Sequence, residues 1–177
     1  NGEALQQATK LTAVILDKTG TITKGHPEVT EVYAVSGWSE NSLLQWGASI
    51  ERGSEHPLGQ AIVDAAKAQQ LPMLSIENFS AIAGRGVSAS IEGKQVFFGN
   101  KKLMAKESIA IEGLLSKATA LAGLGHTPMY LAVDHEAVGI IAVADPIKED
   151  SKSAISRLKD LGITVIMLTG DNEITAN

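Results

Sequence analysis

Two apolar segments near the ends of the chain have the pattern of buried parallel strands. Residues 11–17 (LTAVILD) and 163–171 (ITVIMLTGD) are almost continuously apolar, and each run ends in polar residues that include an aspartate. Continuous apolar runs are typical of strands covered on both faces in a parallel sheet. Residues 151–162 carry an apolar stripe at helical spacing and end in Gly162, a common helix stop. We therefore predict an α/β unit in which the two strands are neighbours.

The intervening residues begin with two predicted helices. One covers residues 40–52, where Ser39 suits the N-cap position, and the other covers residues 57–70, which begin with a proline. The apolar residues of the second helix recur on one face. The second helix is therefore predicted to be amphipathic.

Glycine-punctuated segments follow these helices. Residues 75–100 predict consecutive antiparallel strands with turns at residues 84–86 and 92–93. A helix is predicted near residues 107–124, and two further strands, 128–135 and 137–145, are joined by a polar turn. This block differs in pattern from the two ends of the chain.

The change of pattern predicts two domains. We expect an α+β domain of residues 28–135, built on an antiparallel sheet, to be inserted into an α/β domain of residues 1–27 and 136–177. The chain would cross between them near residues 25–27 and 145–146.

Composition narrows the class of protein. With 177 residues, 44% of them hydrophobic, the chain is long enough for a buried core. The net charge of −5 and the lack of a basic run argue against nucleic acid or an anionic membrane surface as the main partner. The absence of cysteine excludes disulfides and thiolate metal sites. The longest apolar run is far shorter than the roughly 20 residues of a membrane span, so we expect no direct membrane insertion. We expect both termini to lie within a longer chain.

The two predicted strands of the α/β unit place aspartates where ligands bind. Ligands of open α/β sheets lie beyond the carboxyl ends of the strands, and Asp17 and Asp171 both occur there. A carboxylate at such a place can attack phosphorus and form an acyl phosphate if a cation and backbone amides offset the repulsion. Gly20 allows a close backbone approach, and Mg²⁺ prefers carboxylates together with phosphate oxygens. The alternative is that each aspartate only forms a turn or caps a helix.

The residues around these aspartates resemble a known family. DKTGT followed by I-T-x-G is similar to the phosphorylation signature of P-type ATPases, and TGDN resembles a second motif of that family. The resemblance implies a Rossmann-like, haloacid dehalogenase-like phosphorylation domain with an inserted nucleotide-binding domain. It also implies that Asp17 is phosphorylated and that Asp17 and Thr19 contact the magnesium ion. The other catalytic positions that it implies are Lys18, which could instead be a solvated lysine, and the phosphate-binding residues Thr169, Gly170 and Asp171.

The insert resembles one branch of this family. SEHPLGQAI, residues 54–62, is similar to the Ser-Glu-His-Pro motif of heavy-metal-transporting P-type ATPases. The resemblance implies that His56 lies against the adenine of ATP and that Glu51 reaches the edge of the base. The remaining nucleotide-contacting positions that it implies are Gly84, Gly86, Gly99 and Asn100. A histidine before proline is otherwise a common helix-start residue, and a Gly-x-Gly sequence alone is weak evidence.

Two further segments, TPMYLAVD and IIAVADPIKEDS, look most like the copper(I) exporters. The resemblance implies the ATP-binding, autophosphorylating cytosolic part of a copper-translocating pump, with ATP and Mg²⁺ as cofactors. Its partners would be the transmembrane helices and actuator domain of the same pump, in the bacterial inner membrane. The ion-binding residues of such pumps lie in transmembrane helices, so no residue here identifies the ion. We assign none of the histidines, His26, His56, His126 and His135, to a metal, because they have no ligand-like spacing and no cysteine partners.

Thr19 bears on turnover. Related phosphatases often carry an aspartate at this position as the general acid and base, a role that threonine cannot fill near neutral pH. The family's downstream Gly-Asp-Gly-x-Asn-Asp motif does not occur in the chain, so we expect a truncated phosphorylation domain with little or no turnover. Two alternatives stay open: a soluble haloacid dehalogenase-type phosphatase and an ATP-binding module without chemistry.

Overall fold

The computed structural model describes residues 11–168. Within this range the chain divides into two units, residues 11–26 with 145–168 and residues 27–144. We call them the outer unit and the insert. Thr169, Gly170 and Asp171 lie outside the described residues. Among the described helices, none is both long enough and apolar enough to span a membrane.

The outer unit contains the predicted parallel pair. Strand β1 (Ala13–Asp17) pairs in parallel with β8 (Thr164–Leu168), and helix α5 (Ser151–Asp160) precedes β8. The register places Asp17 opposite Leu168. The apolar side chains of both strands are largely exposed in the described residues, with Ile15 62% exposed. The cover predicted for both faces is not found there, because α5 is the one α-helix of this unit in the described range.

The insert is built on a six-stranded antiparallel sheet, which confirms the predicted α+β architecture. Its strands are β2 (Glu28–Ala34), β3 (Ile76–Ile82), β4 (Gly86–Ile91), β5 (Lys94–Gly99), β6 (Thr127–Val133) and β7 (Glu136–Ala144). Their order in the sheet is β2-β7-β6-β5-β4-β3.

Strand β7 moves the boundary of the insert. We predicted that the insert ends at residue 135, but the compact unit extends to Ala144. The reason is that β7 pairs with β2 on one side and with β6 on the other, so it is an inner strand of the sheet. The chain passes between the units at residues 26–27 and 144–145.

Four helices cover the two faces of this sheet. They are α1 (Glu40–Glu51), α2 (Pro57–Ala68), α3 (Lys101–Lys106) and α4 (Glu112–Gly123). Helices α1 and α2 pack on one face with Phe98, while α3 and α4 pack on the other with Phe97. Consecutive residues of a strand point to opposite faces, so two adjacent phenylalanines supply two separate cores.

Two sequence predictions differ from the structure in this region. The helix predicted near residues 107–124 begins at Glu112, because the chain leaves helical geometry at Ser108, whose φ is 55°. The short helix α3 was not predicted. Its N-cap is Asn100, whose side chain accepts hydrogen bonds from Lys102 N (3.0 Å) and Leu103 N (3.1 Å).

Candidate functional site

A cavity of about 360 Å³ lies in the insert and contains most of the nucleotide-contacting residues that the sequence predicts. Three parts of the chain form it: the connection from α1 to α2, the turn between β3 and β4, and the start of β6. Apolar side chains such as Leu58 and Met129 form much of its wall. A concave, largely apolar site with a few polar groups is the usual form of a small-molecule site.

Glu51 is a buried acid in the wall of this cavity. It is the last residue of α1 and is only 3% exposed, and its Oε2 atom has no hydrogen-bond partner within the described part of the chain. Burial raises the pKa of this carboxyl group, and a hydrogen bond with Ser54 partly offsets the shift. A Cβ atom at Gly59 would overlap Oε2, so the glycine leaves the room that the carboxylate occupies. A buried acceptor without a partner favours a ligand that donates a hydrogen bond.

His56 caps helix α2 and faces the same cavity. Its Nδ1 accepts a hydrogen bond from Leu58 N at 3.2 Å, which places the proton of the neutral ring on Nε2. The backbone N–H of His56 donates to Ser54 Oγ at 3.2 Å. The ring is thus held at a defined place, with Nε2 and the ring faces not used by the cap.

The predicted glycines and Asn100 shape the turn between β3 and β4. Asn100 Nδ2 donates to Gly84 O at 2.9 Å, and Asn100 N donates to Arg85 O at 2.8 Å. Gly86 has a φ of 146°, and a Cβ there would overlap Phe98 O. Gly84, Gly86 and Asn100 line the cavity. Gly99 is not among the lining residues, and a Cβ there would overlap Arg85 O, so it serves the close approach of the two strands.

The structure adds residues that the sequence analysis did not assign. Ser54 links the Glu51 carboxyl group to the backbone of His56, and Gly59 makes room for that carboxyl group. Arg85 lies between the two glycines of the turn and also lines the cavity. The signal for Ser54 and Arg85 was their place inside the motifs, and nothing in the sequence pattern indicated the contact of Gly59.

In the outer unit, Asp17 lies at the carboxyl end of β1 and is exposed. The turn that follows it, Lys18–Ile22, includes Thr19, which is exposed, and Gly20, whose φ is 77°. The register sets Asp17 beside Leu168, the last described residue of β8. The expected approach of Thr169, Gly170 and Asp171 to Asp17 falls outside the described residues.

The segment after the insert holds this turn in place. Asp145 accepts hydrogen bonds from Thr23 Oγ1 (2.6 Å) and Gly25 N (2.9 Å). Lys148 Nζ donates to Gly20 O at 2.7 Å, and the buried Ser151 hydroxyl donates to Ile22 O at 2.8 Å. The backbone around Asp17 is therefore set by contacts between distant parts of the chain, which the sequence analysis did not predict.

The predicted magnesium contacts lie at and just after the carboxyl end of β1. Asp17 and Thr19 are the predicted magnesium contacts, and across residues 11–168 no three histidine or acidic side chains cluster as metal ligands. A single carboxylate at a strand end suits Mg²⁺ only when phosphate oxygens and waters complete the coordination.

Comparisons with known proteins agree with these features. A family model described as haloacid dehalogenase-like hydrolase matches residues 11–177. The copper-exporting P-type ATPase of Bacillus subtilis (strain 168) is 43% identical over 175 residues, which are 99% of this chain and 22% of that protein. The silver exporting P-type ATPase of Salmonella typhimurium is 40% identical over 176 residues, 99% of this chain and 21% of that protein.

A solved structure gives the same result. The crystal structure of a zinc-transporting PIB-type ATPase in its E2.Pi state superimposes with a TM-score of 0.88 at 35% identity, covering 99% of this chain and 28% of that one. The chain spans about a fifth of the length of the curated relatives that it matches.

Proposed function

Because the chain belongs to the haloacid dehalogenase-like hydrolase family and is similar to heavy-metal P-type ATPases, we propose that it is the ATP-binding and phosphate-accepting part of a copper-translocating pump. The insert would bind ATP, and Asp17 would accept the terminal phosphoryl group. The similarity to heavy-metal P-type ATPases confirms the resemblance seen in the sequence. The roles of the individual residues are part of the proposal.

The single observation that carries ATP binding is the unpartnered Oε2 atom of Glu51 in an apolar-walled cavity. Adenine fits this cavity because its exocyclic amine donates hydrogen bonds and its rings are apolar on both faces. His56, held by its bond to Leu58 N, offers a flat ring for stacking. The glycines of the β3–β4 turn let the ligand approach the backbone.

The chemistry at Asp17 is a phosphoryl transfer. A carboxylate oxygen of Asp17 forms a bond to the terminal phosphorus of ATP. The bond from that phosphorus to the oxygen bridging to the β-phosphate breaks, and its electron pair leaves with ADP. Mg²⁺ held by Asp17, Thr19 and the phosphates would reduce the repulsion between the two anions.

Hydrolysis of the aspartyl phosphate is the step for which this chain is poorly equipped. The hydroxyl group of Thr19 does not ionise near neutral pH, so it cannot act as the general base that activates water. We therefore expect the chain to turn over ATP slowly or not at all, and we expect other parts of the parent pump to complete the cycle.

Copper as the transported ion rests on the sequence segments that resemble copper exporters and on the copper-exporting relative. The relatives also include a silver exporter and a zinc transporter. Stimulation of the parent pump's ATPase activity by Cu⁺, Ag⁺ or Zn²⁺ in membrane vesicles would decide between them. We propose the cytoplasmic side of a bacterial inner membrane as the location.

Calorimetric titration with ATP tests the nucleotide site. Replacing the buried acceptor in Glu51→Ala, or the stacking ring in His56→Ala, should weaken ATP binding about 10-fold, which corresponds to the roughly 1–2 kcal/mol of a buried hydrogen bond or an aromatic contact. Glu55→Ala is the matched control, because this neighbouring acid is exposed and does not line the cavity. Wild-type affinity in both site variants would refute the assignment.

A further inference from the structure

Arg85 is the one lysine or arginine among the described residues that line the nucleotide cavity. It lies in the turn between β3 and β4, whereas the acid of the cavity, Glu51, lies at the end of α1. The cavity wall thus carries one acidic and one basic side chain, contributed by different elements. A ligand that complements both has a hydrogen-bond donor in one part and negative charge in another.

The backbone of Arg85 is fixed on both sides. Its N–H donates to Ile82 O at 2.9 Å, and its carbonyl accepts from Asn100 N at 2.8 Å. Asn100 also donates from Nδ2 to Gly84 O at 2.9 Å. These bonds hold the point from which the side chain extends, so a ligand has to order the side chain but not the turn.

The guanidinium group itself is uncommitted. Arg85 is exposed, and no carboxylate within residues 11–168 forms an ion pair with it. The planar guanidinium group presents several N–H donors in an arrangement that matches phosphate oxygens. An arginine on a fixed turn at the wall of a cavity, without an acidic partner, is well suited to bind an anionic part of the ligand.

We propose that Arg85 binds the phosphate chain of the nucleotide and sets the preference of the insert for charged nucleotides over the nucleoside. This inference rests on the proposed function, since it assumes that the cavity binds ATP. The base would be recognised at Glu51 and His56, and the charge at Arg85.

NMR titration of the chain with adenosine, AMP, ADP and ATP tests this division. Arg85→Gln should weaken ATP binding about three- to tenfold, the range for a charge-assisted hydrogen bond at an exposed site. Adenosine, which is neutral, should bind within about twofold of its wild-type affinity. Arg85→Lys should recover part of the loss, because it restores the charge without the fork of donors. In the series adenosine, AMP, ADP and ATP, the first ligand whose affinity falls in Arg85→Gln identifies the phosphate group that Arg85 binds.

Arg52→Gln is the matched control, because Arg52 is an exposed arginine next to Glu51 that does not line the cavity. Equal loss of ATP and adenosine binding in Arg85→Gln would overturn the inference, as would an unchanged affinity for ATP. If Glu51→Ala weakens ATP binding and Arg85→Gln does not, the inference fails while the proposed function stands. If the wild-type chain binds none of the four ligands, both fail.

Discussion

The insert and the outer unit place their apolar side chains in opposite environments. In the insert, residues such as Leu43, Ile62 and Phe98 are fully buried between sheet and helices. In the outer unit, Ile166 is 46% exposed and Leu168 is 59% exposed, although both lie in a strand. The insert is stabilised by burial, whereas the described turn of the outer unit is held by hydrogen bonds from residues 145–151. Similar apolar strand patterns therefore do not guarantee similar burial.

The largest expected effect separates the two units directly. Ile62→Ala should lower the free energy of unfolding of the insert by roughly 2–5 kcal/mol, because the side chain is fully buried. Ile166→Ala should cost less than about 1 kcal/mol, since that side chain is half exposed. Trp38 and Trp46, which pack edge to face, both lie in the insert, so urea unfolding followed by tryptophan fluorescence reports on it alone. Amide exchange of β1 and β8 would report on the outer unit. Equal losses of stability in Ile62→Ala and Ile166→Ala would contradict the expected difference between the units.

The next effect tests how rigid the cavity turn of the insert is. Gly86→Ala introduces a Cβ against Phe98 O at a φ of 146°, so we expect destabilisation of about 2–3 kcal/mol together with loss of ATP binding. Gly113→Ala is the control, because nothing lies within 4 Å of a Cβ there. Thermal unfolding of both variants gives the comparison. A fully stable Gly86→Ala protein would show that the turn adapts.

A smaller effect is expected in the outer unit. Asp145→Ala leaves Thr23 Oγ1 and Gly25 N without their acceptor, which should destabilise the turn after Asp17 by about 1–2 kcal/mol. Faster amide exchange in residues 18–25, with an unchanged insert, is the expected result. Asp134→Ala, which removes the acceptor of Gln95 N, should instead speed amide exchange in the insert and leave residues 18–25 unchanged. Unchanged exchange in residues 18–25 would contradict a supporting role for Asp145.

The smallest effect concerns pH and the buried acid of the insert. Burial raises the pKa of Glu51 above its usual value of 4.5, so the folded state binds the proton more tightly than the unfolded state. Stability of the wild type should therefore fall as the pH rises from 4.5 through the raised pKa. Glu51→Gln has no such proton to lose, so the variant should become the more stable protein above this window and equal the wild type below it. A difference in unfolding free energy between the wild type and Glu51→Gln that does not change with pH would contradict the raised pKa of Glu51.

Much of the fold follows from the sequence. The helix predicted over residues 40–52 is Glu40–Glu51, and the two apolar strands do pair in parallel. The helix predicted near residues 107–124 was placed too early. Ile109 and Ile111 lie in a loop but are buried, so they extend the apolar pattern beyond the start of the helix at Glu112. Helix α3 has six residues, too few for its periodicity to stand out.

The candidate site was less predictable. His56 was predicted from the Ser-Glu-His-Pro motif and Glu51 from its position five residues earlier, and the structure brings both to one cavity. The contact of Asp145 with Thr23 joins residues 122 positions apart. No local pattern encodes such a pair, since neither residue changes the apolar spacing around it. Arg85 was not predicted for a related reason. Exposed arginines are common in turns, and only the structure shows that this one lines a cavity.

The pairing of Glu28 with Ala144 at the edge of the insert has an architectural consequence. Because facing residues of an antiparallel ladder lie about 5 Å apart, the chain leaves the insert close to the point where it entered it. An insert with neighbouring ends can therefore be gained, lost or exchanged with little change to the backbone of the outer unit.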